Sequence, residues 1–165
     1  MSPSPRLSLR AASLDVTHSI AAALAGLSRS GDVILLAGEM GAGKTAFAQG
    51  FGRALGVTEP ITSPTFTLVH SYETGGTTLH HADLYRLDQL AEVADLAFGE
   101  LAEFDGIVLV EWGDVVESTF GEHLVVRLDI VDGDLASRDI TFVPTGVTWA
   151  RRWQGLEQSV QEHGT

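Results

Sequence analysis

A glycine-rich octapeptide, residues 38–45, constrains the fold of this chain more than any other segment. It reads Gly-Glu-Met-Gly-Ala-Gly-Lys-Thr and fits the pattern G-x-x-x-x-G-K-[ST] without a mismatch. The wholly apolar run 33–37 before it predicts a buried parallel strand. The residues after it, 46–55, predict a helix that ends at Gly56. A strand, a glycine loop and a helix in this order predict a phosphate-binding loop.

The residue types of this loop suit an anionic ligand. Gly41 and Gly43 can adopt positive φ, which lets backbone N–H groups close around a phosphate. The first turn of the helix adds unpaired N–H groups and the positive end of its dipole. We expect Lys44 to reach the β- and γ-phosphates and the Thr45 hydroxyl to ligate Mg²⁺. Lys44 is also the only lysine in the sequence, and a compact ammonium suits phosphate.

Composition excludes several classes of protein. The 165 residues suggest one domain, and the absence of cysteine excludes disulfides and thiolate chemistry. A net charge of −12 argues against a strong direct grip on DNA or RNA, although a basic partner could supply one. No apolar stretch is long enough for a signal peptide core or a membrane span. We therefore expect a cytoplasmic protein with no membrane contact.

The remaining pattern predicts the order of the elements. Residues 1–12 are expected to form a flexible tail, and 13–165 a single domain. Ser13 or Asp15 is predicted to cap a helix that runs to Leu27, and the start of that helix is expected to lie near the nucleotide base. Further elements are predicted as a hairpin over 67–72 and 77–83, a helix over 84–104, a strand over 107–110, an antiparallel pair over 123–131 and 138–143, and an amphipathic helix from Val147.

Two carboxylates stand at strand ends, where a phosphate loop needs an acidic partner for Mg²⁺. Glu111 follows the apolar run 107–110, and Asp83 ends the second hairpin strand. Asp83 could orient the attacking water or support the metal shell. The alternatives without a catalytic role are that Glu111 is a surface residue at a strand end and that Asp83 caps a helix.

Three further groups are less specific. Ser63 and Thr65 lie in a hydroxyl-bearing loop that γ-phosphate contacts could order as a switch, although an ordinary loop would look much the same. Arg86 could stabilise transition-state charge or simply form an ion pair. His80 and His81 are adjacent, so on a strand they point to opposite faces and cannot share a metal. Neither histidine is assigned a role.

Four segments in this order resemble the bacterial TsaE (YjeE) family: GEMGAGKT at 38–45, SPTF at 63–66, HADLYRL at 81–87 and LVEW at 109–112. The resemblance covers about residues 13 to 131. It implies a small ATPase needed for threonylcarbamoyl modification of the tRNA adenosine beside the anticodon. It also implies a complex with TsaD and TsaB, through which alone the chain would meet tRNA, and ATP hydrolysis that resets this complex.

The resemblance also implies roles for individual positions. The nucleotide loop would comprise Glu39, Met40, Gly41, Ala42, Gly43, Lys44 and Thr45, where Glu39-Met40 replaces the more usual Asp-Leu of the family. Thr45 and Glu111 would associate with Mg²⁺, Asp83 would be required for catalysis, and Trp112 would lie beside the site. Thr65 lies in the switch-like segment.

We therefore expect an α/β fold of the P-loop NTPase type: a three-layer sandwich whose central parallel sheet is extended by antiparallel strands. The expected reaction is slow, Mg²⁺-dependent hydrolysis of ATP that partners accelerate. A kinase for a small molecule or nucleotide would need a basic lid, and between Glu111 and the C-terminal helix the sequence offers only Arg127 and Arg138, which are not clustered. A GTPase would need a second lysine in its guanine-reading pattern. A nucleotide-sensing module with little turnover is the remaining alternative.

Overall fold

The structure, a computed structural model, describes residues 5–39, 41–62, 69–83, 106–111 and 121–165. Its elements are the strands β1 (Leu7–Ala11), β2 (Val33–Ala37), β3 (Val69–Glu73), β4 (Thr78–Asp83), β5 (Gly106–Glu111), β6 (His123–Val131) and β7 (Asp134–Thr145), and the helices α1 (Leu14–Leu27), α2 (Lys44–Leu55) and α3 (Trp153–Gln161). A short 3₁₀ helix, Ala150–Arg152, precedes α3.

The described strands form one seven-stranded sheet in the order β1-β7-β6-β2-β5-β4-β3. Its centre is parallel, because β2 pairs in parallel with both β5 and β6, and β4 pairs in parallel with β5. The edges are antiparallel through the pairs β1–β7, β6–β7 and β3–β4. Since carboxyl ends of parallel strands meet at one edge, the ends of β2, β4 and β5 lie together.

The two central strands are buried on both faces. Every residue of β2 and of β5 is buried, and successive side chains of a strand point to opposite faces. A parallel strand covered on both sides reads as a continuous apolar run, which is why 33–37 and 107–110 carried no alternation. Burial of both faces is what a three-layer α/β sandwich requires, and the mixed sheet confirms the predicted fold class.

The described helices pack closely on one another and on the sheet. Ser13 caps α1, its Oγ accepting from the backbone N of Val16 at 3.3 Å. Where α1 crosses α2, a Cβ added at Gly50 would lie 2.9 Å from Cα of His18, so only glycine permits this approach. The three helices bury apolar side chains in a common core with the sheet. Within the described residues, no helix is long and apolar enough to cross a membrane.

Two predicted boundaries are wrong. Residues 7–11, expected in a flexible tail, form β1, whose Leu7, Leu9 and Ala11 are buried and which pairs with β7 from Leu7 opposite Phe142 to Ala11 opposite Arg138. The pairing partner lies more than a hundred residues away, so local composition could not reveal it. The C-terminal helix α3 begins at Trp153, after the 3₁₀ helix Ala150–Arg152, rather than at Val147, which is 60% exposed. The predicted helix over 84–104 lies outside the described residues.

Candidate functional site

The loop between β2 and α2 curls at its glycines. Gly38, Gly41 and Gly43 have φ values of 145°, 84° and 102°, all in the region that L side chains rarely adopt. Gly43 caps α2, and its carbonyl accepts the first helical bond from the N–H of Phe47 at 2.9 Å. The N–H groups of the first helical turn therefore point toward the concave side of the loop, where an anion is favoured.

Lys44 lies inside this curl. The residue is 5% exposed, and its Nζ donates to the carbonyls of Gly38 at 2.7 Å and Glu39 at 2.9 Å. The ammonium is thus held against the loop backbone rather than extended into solvent. A buried positive charge next to unpaired helix N–H groups gives the loop the electrostatics of a phosphate site.

Thr45 and Glu111 converge at the mouth of the loop. Thr45 Oγ1 lies 3.1 Å from Oε1 and 3.2 Å from Oε2 of Glu111, so the hydroxyl shares its hydrogen between the two oxygens. Glu111 ends β5 and is 3% exposed. A buried carboxylate needs polar partners, and the second one is His81, whose Nε2 lies 2.6 Å from Glu111 Oε2. Sequence reasoning gave His81 no role.

Asp83 stands beside Glu111 at the same sheet edge. The two are register partners in the parallel ladder of β4 and β5, so their side chains leave the same face. Leu36, at the end of β2, is the register partner of Glu111 on the other side. The ends of three adjacent strands therefore bring two carboxylates to the strand that feeds the loop.

Arg138, on β7, supports the loop from outside. Its Nε donates to the Ala42 carbonyl at 2.9 Å, and Nη2 lies 3.4 Å from the Gly41 carbonyl. Its Nη1 donates to the carbonyls of Leu135 and Ser137, both at 2.7 Å, which fixes the guanidinium. The sequence pattern offered no signal for this contact, because Arg138 lies 96 residues from Ala42 and its strand reads as ordinary alternation.

The residues present suit a nucleotide with Mg²⁺. The donor set near the mouth, a threonine hydroxyl and carboxylate oxygens, is the hard oxygen chemistry that Mg²⁺ prefers. The loop itself leaves space, since a Cβ added at Gly41 would meet no heavy atom of the described residues within 4 Å. Thr45 and Glu111 would hold the metal ion, and the loop amides with Lys44 would hold the phosphates.

Comparison with known proteins gives the chain a family. The family model described as "Threonylcarbamoyl adenosine biosynthesis protein TsaE" matches residues 11–140. The chain belongs to the TsaE family. The Bacillus subtilis "tRNA threonylcarbamoyladenosine biosynthesis protein TsaE" is 36% identical over 161 residues, with 96% of each chain covered. The Streptomyces coelicolor protein is 41% identical over 133 residues, covering 77% of this chain and 89% of its own. The crystal structure of Bacillus subtilis YdiB matches with a TM-score of 0.76 and 31% identity over 99% of both chains.

Several residues to which the sequence or the TsaE resemblance gave a role lie outside the described residues: Met40, Ser63, Thr65, Arg86 and Trp112. Their proposed roles stay predictions. Ser13 is described as the cap of α1, and Ala11, two residues earlier, pairs with Arg138. The start of α1 is therefore joined to the strand that contacts the loop, while contact of Ser13 with a nucleotide stays a prediction.

Proposed function

We propose that the chain is a Mg²⁺-dependent ATPase that hydrolyses ATP to ADP and phosphate and supports threonylcarbamoyl modification of tRNA adenosine. Membership of the TsaE family supports the place in tRNA threonylcarbamoyladenosine biosynthesis. One observation supports the ATPase chemistry above all others. Thr45, at the start of the helix that follows the glycine loop, meets the buried carboxylate of Glu111 at 3.1 Å, with Asp83 in register beside it.

Each residue has a distinct task in this proposal. The loop amides and Lys44 bind and orient the phosphates, which lowers the cost of charge that develops on the γ-phosphoryl oxygens. Mg²⁺ held by Thr45 and Glu111 supplies neutralising positive charge. Asp83 orients a water molecule for in-line attack on the γ-phosphorus and accepts its proton.

Partners are part of the proposal. The guanidinium of Arg138 donates its hydrogen bonds to backbone carbonyls of the loop and of its own hairpin. It is therefore not placed to stabilise charge on the γ-phosphate, which supports the expectation that the isolated chain hydrolyses ATP slowly. We propose TsaD and TsaB as the partners that accelerate turnover, with tRNA reached only through them. The net charge of −12 is consistent with this indirect contact. A cytoplasmic location stays a prediction.

The test is release of inorganic phosphate from ATP by the wild type, Lys44→Ala and Asp83→Asn, each alone and with TsaB and TsaD. Loss of a group that stabilises charge or moves a proton typically costs about 10²- to 10⁴-fold in rate, and we expect losses of this size in both variants. Glu73→Gln, at the exposed end of β3, is the matched carboxylate control and should keep wild-type turnover.

Three outcomes would contradict this function. Wild-type turnover in Lys44→Ala or Asp83→Asn would remove that residue from the mechanism. Transfer of labelled phosphate to an added acceptor, without free phosphate, would instead indicate a kinase. ATP binding with no product in a single-turnover experiment, with or without partners, would indicate a nucleotide-sensing module.

A further inference from the structure

Among the described residues beside the proposed metal site, His81 is a polar residue that is completely enclosed. Its side chain is fully buried on β4, and its Nε2 contacts Glu111 Oε2 at 2.6 Å. His81 pairs with Leu109 in the β4–β5 ladder, and Glu111 lies two residues farther along β5. The two side chains therefore project from the same sheet face on adjacent strands, on a diagonal that long side chains can span.

The hydrogen-bond inventory fixes the direction of this contact. A carboxylate that ligates Mg²⁺ is ionised and only accepts, so at a metal-binding Glu111 the hydrogen of this contact is carried by His81 Nε2. The other ring nitrogen, Nδ1, is buried and has no hydrogen-bond partner among the described residues. The Nε2–H tautomer satisfies this arrangement, because it places no hydrogen on the unpartnered Nδ1.

Glu111 needs such a partner because its side chain is long. A glutamate has one more rotatable bond than an aspartate, and fixing it costs conformational entropy. Thr45 alone does not choose between the two oxygens, since its hydroxyl lies at 3.1 and 3.2 Å from them. His81 does distinguish the two oxygens, because its Nε2 contacts Glu111 Oε2 alone, and this contact fixes the orientation of the carboxylate. Carboxylates that ligate metals are commonly held by a hydrogen bond of this kind.

We propose that His81 is a positioning residue for the metal site: its Nε2–H fixes the Glu111 carboxylate so that one oxygen is committed to the protein and the other is presented to Mg²⁺. This inference rests on the proposed function, since it assigns Glu111 to the metal ion. It predicts a specific effect on metal affinity rather than on phosphate binding, which depends on the loop amides and Lys44.

The test compares His81→Met with His81→Gln by two measurements. The first is titration of Mg²⁺ into each protein with a fluorescent ADP analogue, with parallel titration of the analogue in EDTA. Methionine removes the donor, and we expect the Mg²⁺ concentration for half-maximal tightening to rise about 10- to 100-fold. Glutamine places an amide N–H near the position of Nε2, so the Mg²⁺ concentration for half-maximal tightening in His81→Gln should stay within about threefold of the wild-type value. Affinity for the analogue in EDTA should not change in either variant.

The second measurement uses the free protein and needs no nucleotide. Long-range ¹H–¹⁵N spectra of the histidine rings should show His81, assigned by its absence in His81→Gln, as the Nε2–H tautomer. Circular dichroism of both variants reports whether each folds. If His81→Met does not fold, the tautomer and the His81→Gln titration decide: a wild-type ring in the Nδ1–H form, or a Gln variant that needs at least about tenfold more Mg²⁺, would overturn the inference.

The remaining outcomes separate this inference from the proposed function. A His81→Met variant with the wild-type Mg²⁺ requirement would overturn the inference alone. A His81→Met variant that loses as much affinity for the analogue in EDTA as for Mg²⁺ would also overturn it, because a general packing role would weaken nucleotide binding and metal binding alike. Wild-type protein that binds no nucleotide in either series would overturn the proposed function and this inference together.

Discussion

Gly38, the first glycine of the loop, is held against β6 so tightly that it should not tolerate a side chain. An added Cβ would lie 2.4 Å from the backbone oxygen of Leu128 and 3.2 Å from Cβ of Ala42, at a φ of 145°. Gly41, three residues later, is the matched control: its φ is 84°, and an added Cβ would meet no heavy atom of the described residues within 4 Å. Gly38→Ala and Gly41→Ala thus differ mainly in the clash.

The expected costs follow from these two environments. Backbone strain at a glycine-only conformation costs about 1–3 kcal/mol. Forcing a carbon into a packed contact adds about 1–3 kcal/mol, because the rigid Leu128 carbonyl cannot rotate away. Gly38→Ala should therefore lower the free energy of unfolding by about 2–6 kcal/mol in total. Gly41→Ala should lower it by only about 1–2 kcal/mol, the cost of a left-handed alanine.

Urea unfolding without nucleotide, followed by fluorescence of the three tryptophans, measures both values. With a denaturant slope of about 2 kcal/mol/M, the Gly41→Ala midpoint should fall by about 0.5–1 M, and the Gly38→Ala midpoint should lie at least about 0.5 M lower still, because the clash adds at least about 1 kcal/mol. The slope should be unchanged in both. Equal midpoints for the two variants, or a more stable Gly38→Ala, would refute the argument that contact with Leu128 fixes the first glycine.

Two further predictions concern stability. Arg152 makes a buried two-point ion pair with Asp32, with both N···O distances 2.8 Å; Arg152→Met should cost about 3–5 kcal/mol in urea unfolding because Asp32 is left buried without its partner. The exposed Arg151→Met should stay within about 0.5 kcal/mol of wild type, and similar losses in both would argue against the pair. Gly50→Ala should cost about 1–3 kcal/mol, since its Cβ would lie 2.9 Å from His18 Cα. Gly26→Ala, in open space on α1, should raise the free energy of unfolding by about 0.5–1 kcal/mol. A stabilised Gly50→Ala together with a destabilised Gly26→Ala would contradict the packing of α1 on α2.

The sequence predicts the parts of this fold whose signals are local. The loop 38–45 carries its own chemistry, and the apolar runs 33–37 and 107–110 identify strands that are buried on both faces. The cap of α1 is also a local signal: the sequence offered Ser13 or Asp15, and the structure has Ser13. Glu111 and Asp83 could be placed at strand ends because each directly ends a segment with a strand pattern.

Contacts that depend on pairing across the chain could not be predicted. β1 alternates over only five residues, and its partner β7 lies at the other end of the chain. Arg138 reaches the loop because β7 is two strands from β2 in the sheet, an order that no local pattern encodes. The adjacency of His80 and His81 places them on opposite faces of a strand, but the register that puts His81 against Glu111 comes from the β4–β5 ladder. The ion pair of Asp32 and Arg152 spans 120 residues in the same way.

A crystal structure with Mg²⁺ and a non-hydrolysable ATP analogue tests the central claim most directly. We expect the β- and γ-phosphates inside loop 41–45, with Mg²⁺ about 2.1 Å from Thr45 Oγ1 and the carboxylates of Glu111 and Asp83 facing the metal ion. An analogue bound elsewhere, or a bound triphosphate with both carboxylates turned away, would contradict the account.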